Sequence, residues 1–151
     1  MPRIVHYQAQ ARVHPLPRYL QPKKKLSRDQ VQDLHLLHIQ LLHHIAAGDG
    51  DEFLLWEFVA MALTWSHTAE LLGLGMVEIA PQLDLATRMI CRWRDTGQVR
   101  YEGVEYQVAR IGTIVMDHLA EAVDETTAIA ASHWSERCLS ALRTQHAGAP
   151  C

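Results

Sequence analysis

Residues 51–72 read DEFLLWEFVAMALTWSHTAELL, and this stretch decides the fold class. If it forms a helix, apolar side chains lie on nearly every side of that helix as far as Leu63. A surface helix is apolar along one stripe, whereas a helix that is apolar all round packs inside a protein. The stretch therefore predicts a central helix over residues 52–72, which ends at Gly73 and Gly75.

The segment before this stretch predicts an amphipathic first helix. Ser27 and Gln30 fit a capping box, in which two side chains satisfy backbone N–H groups at the start of a helix. Gly48 supplies a stop, because glycine adopts a positive φ at no steric cost. Between them, an inward-facing seam recurs at spacings of three and four residues. This seam consists of Val31, Leu34, His38, Leu41 and Ile45.

Three more helices are predicted downstream, over about residues 76–94, 104–123 and 127–144. Pro81 either begins the first of these helices at its first turn or kinks it. Residues 98–106 are predicted to form a connector, with a short hairpin as the alternative. Short connections predict that helices adjacent in the sequence pack together. On the fourth helix, the predicted inward seam consists of Val104, Val108, Ile111, Val115, His118, Leu119 and Ala122.

The predicted fold is an all-α, compact bundle of about five helices behind an extended, proline-rich and basic N-terminal arm. A length of 151 residues fits a single domain of ordinary size. The predicted segments are the arm at residues 1–26, the helical domain at residues 27–146 and a disordered tail at residues 147–151.

The arm is set apart by its charge. Residues 1–28 carry seven of the 14 Lys and Arg residues and none of the 17 Asp and Glu residues, so the rest of the chain is acidic. Four of the six prolines also lie there, which predicts an extended segment. Clustered cations neutralise phosphates, and tyrosine stacks on bases. The candidate residues for contact with nucleic acid or a protein partner are Arg12, Arg18, Tyr19, Lys23, Lys24, Lys25 and Arg28.

The ten histidines raise the question of a metal site. The candidates for zinc or iron ligands are His35, His38, His67 and His118, since a neutral imidazole binds both metals. The alternative is that each is an ordinary core or helix-face histidine. The Glu-x-x-His pairs of di-iron bundles, the H-E-x-x-H motif, the P-loop and the nucleophile elbow do not occur in the sequence. We therefore predict no cofactor and no catalytic residue.

Two resemblances bear on function. Arg28 and His35 form an arginine-x6-histidine spacing beside Asp29, which is similar to a motif of helical ribonucleases of the HEPN class and implies RNA cleavage. The segments LLWEFVAMALTWSHTAELLG, LDLATRMICRWRDTG, YEGVEYQVARIGTIVMD and HWSE resemble small, uncharacterised helical proteins of proteobacterial prophages and other mobile elements. The second resemblance implies a binder or regulator of host machinery, and it implies no functional residues.

Composition bears on the compartment. Three widely spaced cysteines without a C-x-x-C pair argue against a disulfide framework or a zinc finger and favour a reducing compartment. The uncharged stretch at residues 58–69 is shorter than the roughly 20 apolar residues of a membrane-spanning helix. The N-terminal segment has no apolar signal core. We expect a cytoplasmic protein without membrane contact.

These patterns favour a non-enzymatic protein that binds a protein partner, or a second copy of itself as a homodimer, through its helical body and its arm. One alternative is a regulator that binds nucleic acid through the arm. That alternative requires an arm that is free to bind nucleic acid. The competing possibility is that the basic arm docks on the acidic helices of its own chain. A second alternative is a metal-dependent or ribonuclease-like enzyme.

Overall fold

The computed structural model describes residues 23–147 of the chain. Within this range the chain forms five α-helices and no strand, which confirms the predicted all-α bundle. The arm before Lys23 and the tail after Ala147 lie outside the described residues. The helices are α1 (Arg28–Ala46), α2 (Glu52–Leu72), α3 (Met76–Thr96), α4 (Glu105–Ala122) and α5 (Glu125–His146).

The helix starts follow local side-chain signals. Both hydrogen bonds of the predicted capping box are present: the Gln30 amide donates to Ser27 Oγ over 3.2 Å, and the Ser27 amide donates to Gln30 Oε1 over 2.8 Å. Asp51 and Asp124 cap α2 and α5 in a similar way, each accepting from a backbone N–H three residues on. A capped helix start is more stable by about 1 kcal/mol than an uncapped one.

The central position of α2 is confirmed. Ten of its 21 residues are buried, more than in any other helix of the described range. It packs along α3 on one side and along α5 on another, while α4 packs against α1 and α3. Its N-terminal loop approaches another backbone so closely that a Cβ atom on Gly50 would lie 2.0 Å from the Val99 carbonyl oxygen. Only glycine fits there without movement of the backbone.

One prediction about packing is wrong. Sequence neighbours do not all pair, because α4 and α5 do not pack against each other and α1 packs mainly on α4 instead of α2. The extended conformation of Val123 separates α4 from α5, and α5 returns to lie on α2. Residues 98–104 form the predicted connector, and the alternative hairpin is absent, since no residue there is in a strand. Pro81 lies inside α3 at its sixth position, so it does not begin that helix.

The predicted inward seam of α4 is wrong in part. Val104 and Ile111 are 74% and 53% exposed, and His118 is exposed too. Leu119 is buried as predicted, and Val108 and Val115 are partly buried against the core. The full set of buried residues on α4 is Glu105, Ala109, Gly112, Thr113, Met116, Leu119 and Ala120. Small residues such as Ala109 and Gly112 let α4 approach its neighbours closely, while Val104 and Ile111 lie on its exposed side. A Cβ atom on Gly112 would lie 2.1 Å from Gln82 Cδ, and Gln82 is itself 1% exposed.

Ion pairs to the buried carboxylate of Glu105 join α3 to the start of α4. Glu105 accepts from Arg92 Nη2 over 2.9 Å and from Arg88 Nε over 3.3 Å, and its second oxygen accepts from the Glu102 amide over 2.8 Å. Burial alone would raise the pKa of Glu105, but the hydrogen bonds from Arg92, Glu102 and Arg88 outweigh it and lower that pKa. The α3–α4 interface is therefore closed by small residues and matched charges.

Candidate functional site: a groove between α1 and α5

A groove of about 570 Å³ lies between α1 and α5, with α2 as its floor. It exists because α1 and α5 both contact α2 but do not pack against each other. We call it the α1–α5 groove. Its apolar lining consists of Leu34, Leu37, Leu41, Phe53, Leu54, Ala60, Met61, Trp65 and Leu139.

The rim of the α1–α5 groove exposes large apolar side chains. Phe53 is 66% exposed and Leu37 is 52% exposed, although both lie beside an apolar cavity that could bury them. Single exposed apolar residues are ordinary, but their continuity with an apolar groove is typical of binding sites. Glu57 and Glu136 also line the groove, and no Lys or Arg among residues 23–147 does. The groove is therefore apolar with an acidic border.

Hydroxyl groups in the groove are engaged with one another and with the backbone. Thr64 Oγ1 lies 2.7 Å from Ser135 Oγ and 2.8 Å from the Ala60 carbonyl oxygen. Ser135 Oγ donates to the Ser132 carbonyl oxygen over 2.8 Å. These contacts tie α2 to α5 and provide no activated nucleophile, because neither hydroxyl has a basic side chain as its hydrogen-bond partner.

A buried histidine lies where α1 crosses α2. Trp65 Nε1 donates to His38 Nε2 over 2.9 Å, so this nitrogen carries a lone pair. The proton of the neutral ring is then on Nδ1, which lies 3.3 Å from Asp117 Oδ1 on α4. Burial lowers the pKa of His38, although Asp117 acts in the opposite direction. His38 is thus a neutral link between three helices, with both ring nitrogens in use.

Three residues singled out in the sequence, Arg28, His35 and His118, line one shallow depression of about 390 Å³ between α1 and α4. His35 Nδ1 lies 2.5 Å from Asp117 Oδ2, so Asp117 joins the half-buried His35 to the buried His38. Asp117 and Glu121 line the same depression, and together they outweigh the single charge of Arg28. This balance opposes the binding of a phosphate group.

The four histidines do not form a ligand set. His67 lies apart from the others, with Nδ1 3.0 Å from Glu70 Oε2 and its ring stacked on Trp134 at 4.3 Å. Across residues 23–147, no three His, Cys, Asp or Glu side chains are grouped so that they could hold a metal ion. His38 in particular offers no lone pair while Trp65 occupies it.

The described end of the arm contacts its own helical domain. The backbone carbonyl of Lys24 accepts from the backbone N–H of Glu125 over 2.8 Å, and Lys24 Nζ lies 3.1 Å from Glu125 Oε1. Lys25 forms an antiparallel bridge with Asp124. Burial would raise the pKa of Asp124, but hydrogen bonds from Thr127 and the charge of Lys23 lower it. Arg12, Arg18 and Tyr19 lie outside the described residues.

Sequence reasoning missed the α1–α5 groove and the residue that links the two histidines. Phe53 and Leu37 were available as apolar residues on predicted helices, but nothing in the sequence indicated that α1 and α5 leave α2 partly uncovered. Asp117 carried no signal, because its two partners are 79 and 82 residues away in the chain.

No helix of the described range is long and apolar enough to cross a lipid bilayer. Comparison of the chain with protein-family models, with curated proteins and with solved structures found no match.

Proposed function

We propose that this protein is a non-enzymatic interaction protein whose α1–α5 groove binds an apolar, basic segment of a protein partner. The observation that supports this most is the continuity of the exposed Phe53 and Leu37 with an apolar groove of about 570 Å³. Complete burial of one such side chain contributes roughly 1.5–3 kcal/mol. Burial of Phe53 and Leu37 by a partner would therefore contribute several kcal/mol, about 3–6 in all, to the free energy of binding.

The acidic border of the groove defines the chemistry of the partner. Glu57 and Glu136 are both exposed, and none of the Lys and Arg residues that the structure describes lines the groove to balance them. A partner segment with Lys or Arg beside its apolar residues would be attracted, whereas an acidic segment would be repelled. Charges at such a rim act mainly on the association rate and on the choice of partner.

The state of the polar groups favours binding over catalysis. His38 is neutral with both nitrogens engaged, and the Thr64 and Ser135 hydroxyls contact each other. A nucleophile needs an adjacent base within hydrogen-bond reach, and the groove contains no such pair among the described residues.

The sequence resemblance adds a cellular setting to the proposal, that of a cytoplasmic regulator of a mobile element. A second copy of the chain is one candidate partner.

A peptide-display selection tests the proposal. Random 16-residue peptides would be selected on the full-length protein and then measured against Phe53→Ser and, as a matched control, Val77→Ser, which changes an 82% exposed valine outside the groove. We expect the enriched peptides to combine apolar residues with Lys or Arg and to bind at least tenfold more weakly to Phe53→Ser alone. Equal binding to both variants, or no enrichment, would overturn the proposal.

A further inference from the structure

The chain leaves the helical domain close to one end of the α1–α5 groove. Lys24 and Lys25 are held at Asp124 and Glu125, which begin α5. Leu26, the next residue, packs into the core cluster that also contains Ala128 on the first turns of α5. The residues before Lys23 therefore start from the N-terminal end of α5, one of the two walls of the groove.

The distance from this point to the groove is short. At a rise of 1.5 Å per helical residue, the groove wall from Ser132 to Leu139 lies about 12–22 Å along α5 from Asp124. An extended chain advances about 3.3 Å per residue, so four to seven residues upstream of Lys23 cover this distance. Counting back from Lys23, these positions are residues 16–19, and Leu20 adjoins them.

Residues 12–22 combine the apolar and basic side chains that the groove is suited to bind. The sequence RVHPLPRYLQP at residues 12–22 contains Leu16, Tyr19 and Leu20 as apolar or aromatic groups, two arginines, and no acid. Its three prolines disfavour a helix and favour an extended backbone, which matches the reach just derived. The groove offers apolar walls bordered by Glu57 and Glu136, with no Lys or Arg from the described part of the chain.

We propose that residues 16–20 of the same chain occupy the α1–α5 groove in cis and compete there with the partner. This inference rests on the proposed function, because it concerns the same groove. A tethered segment reaches an effective concentration of the order of 1 mM over a short linker. A partner that binds the open groove must displace this segment, so its apparent affinity is lowered.

Displacement is measured with the full-length protein and a fluorescein-labelled peptide of residues 12–22 as the probe. Leu16→Ser/Leu20→Ser removes the two leucines from the tethered segment, and Ile4→Ser/Val5→Ser is the matched control farther from the point of attachment. We expect the first variant to bind the probe at least tenfold more tightly than the wild type, since a probe with a Kd near 0.1 mM competes with about 1 mM of tethered segment. The control variant should bind the probe as the wild type does, and Phe53→Ser in the Leu16→Ser/Leu20→Ser background should lose the binding.

Three outcomes overturn the inference. One is equal probe binding by the wild type and Leu16→Ser/Leu20→Ser, and another is probe binding that survives Phe53→Ser. The third is a wild-type dimer in light scattering that Leu16→Ser/Leu20→Ser converts to a monomer, because the segment would then occupy the groove of a second copy. If display-selected peptides bind through Phe53 but the probe does not, the inference alone fails. If neither binds through Phe53, the proposed function fails too.

Discussion

The α3–α4 interface and the α1–α5 groove show two ways of packing helices in one small protein. Between α3 and α4, Gly112 receives the Gln82 amide and Arg92 meets a buried Glu105, so shape and charge are both matched. Between α1 and α5, two helices flank α2 without meeting, and Phe53 stays mostly exposed at the rim. The closed interface is built for stability, whereas the open groove retains apolar area that a partner can cover. Substitutions in the α3–α4 interface should therefore lower stability, whereas substitutions in the α1–α5 groove should weaken partner binding.

The largest expected effect comes from the buried ion pair. Arg92→Met leaves the Glu105 carboxylate, 8% exposed, without its main partner, and should lower the free energy of unfolding by about 3–5 kcal/mol. Arg88→Met is the matched control, since Arg88 contacts the same carboxylate but is 53% exposed, and an exposed pair contributes about 0–1 kcal/mol. Urea denaturation of both variants measures the difference. Equal losses would mean that burial does not distinguish the two arginines.

The close approach of Gly112 to Gln82 should give the next largest effect. Gly112→Ala places a methyl group against the buried Gln82 amide and should destabilise the fold by about 1–3 kcal/mol. In a Gln82→Ala background the space is open, so the same change should be neutral or stabilising by up to about 1 kcal/mol through helix propensity. A double-mutant cycle in urea tests this. Additive effects would contradict the steric explanation.

The buried histidine should make stability depend on pH. The pKa of His38 is lowered from 6.5 in the folded protein, so the unfolded chain binds more protons once the pH falls below about 6.5. The contribution of neutral His38 is thus present above this pH and is lost as the pH falls toward the folded pKa. His38→Gln keeps a donor for Asp117 and an acceptor for Trp65, and should change stability at neutral pH by no more than about 1.5 kcal/mol.

We expect the stability of the wild type to fall more steeply than that of His38→Gln between about pH 7.5 and 5.5, as measured by urea denaturation. His43→Gln, which changes an exposed histidine on the same helix, is the control and should retain the wild-type slope. Identical slopes for the wild type and His38→Gln would show that His38 is not the group that titrates.

The smallest effect on stability is expected in the groove. Phe53→Ser and Leu37→Ser change exposed side chains and should alter the free energy of unfolding by no more than about 0.5 kcal/mol. The same substitutions should weaken the binding of display-selected peptides at least tenfold. Differential scanning calorimetry beside peptide titration separates the two quantities. A loss of stability of several kcal/mol would show that Phe53 contributes to the packing of the fold, as residues of the α3–α4 interface do.

The sequence predicted the elements better than their arrangement. Ser27 with Gln30, and the apolar run at residues 52–72, are local signals, so the start of α1 and the central helix were read correctly. The α4 seam was misread because apolar periodicity selects Val104 and Ile111, whereas close packing selects Ala109 and Gly112. The groove and the Asp117 link depend on contacts between distant segments, which periodicity does not encode.

The contact between Gly50 and Val99 has a consequence for the descent of this protein. Because a Cβ atom at position 50 would meet a carbonyl oxygen at 2.0 Å, every side chain other than hydrogen requires a rebuilt loop. Drift at this codon should therefore be restricted even where the neighbouring Asp49 and Asp51 codons vary. Gly50, in the loop before α2, and Gly112, in the middle of α4, form a two-position signature. This signature can separate true relatives from helical proteins of similar composition.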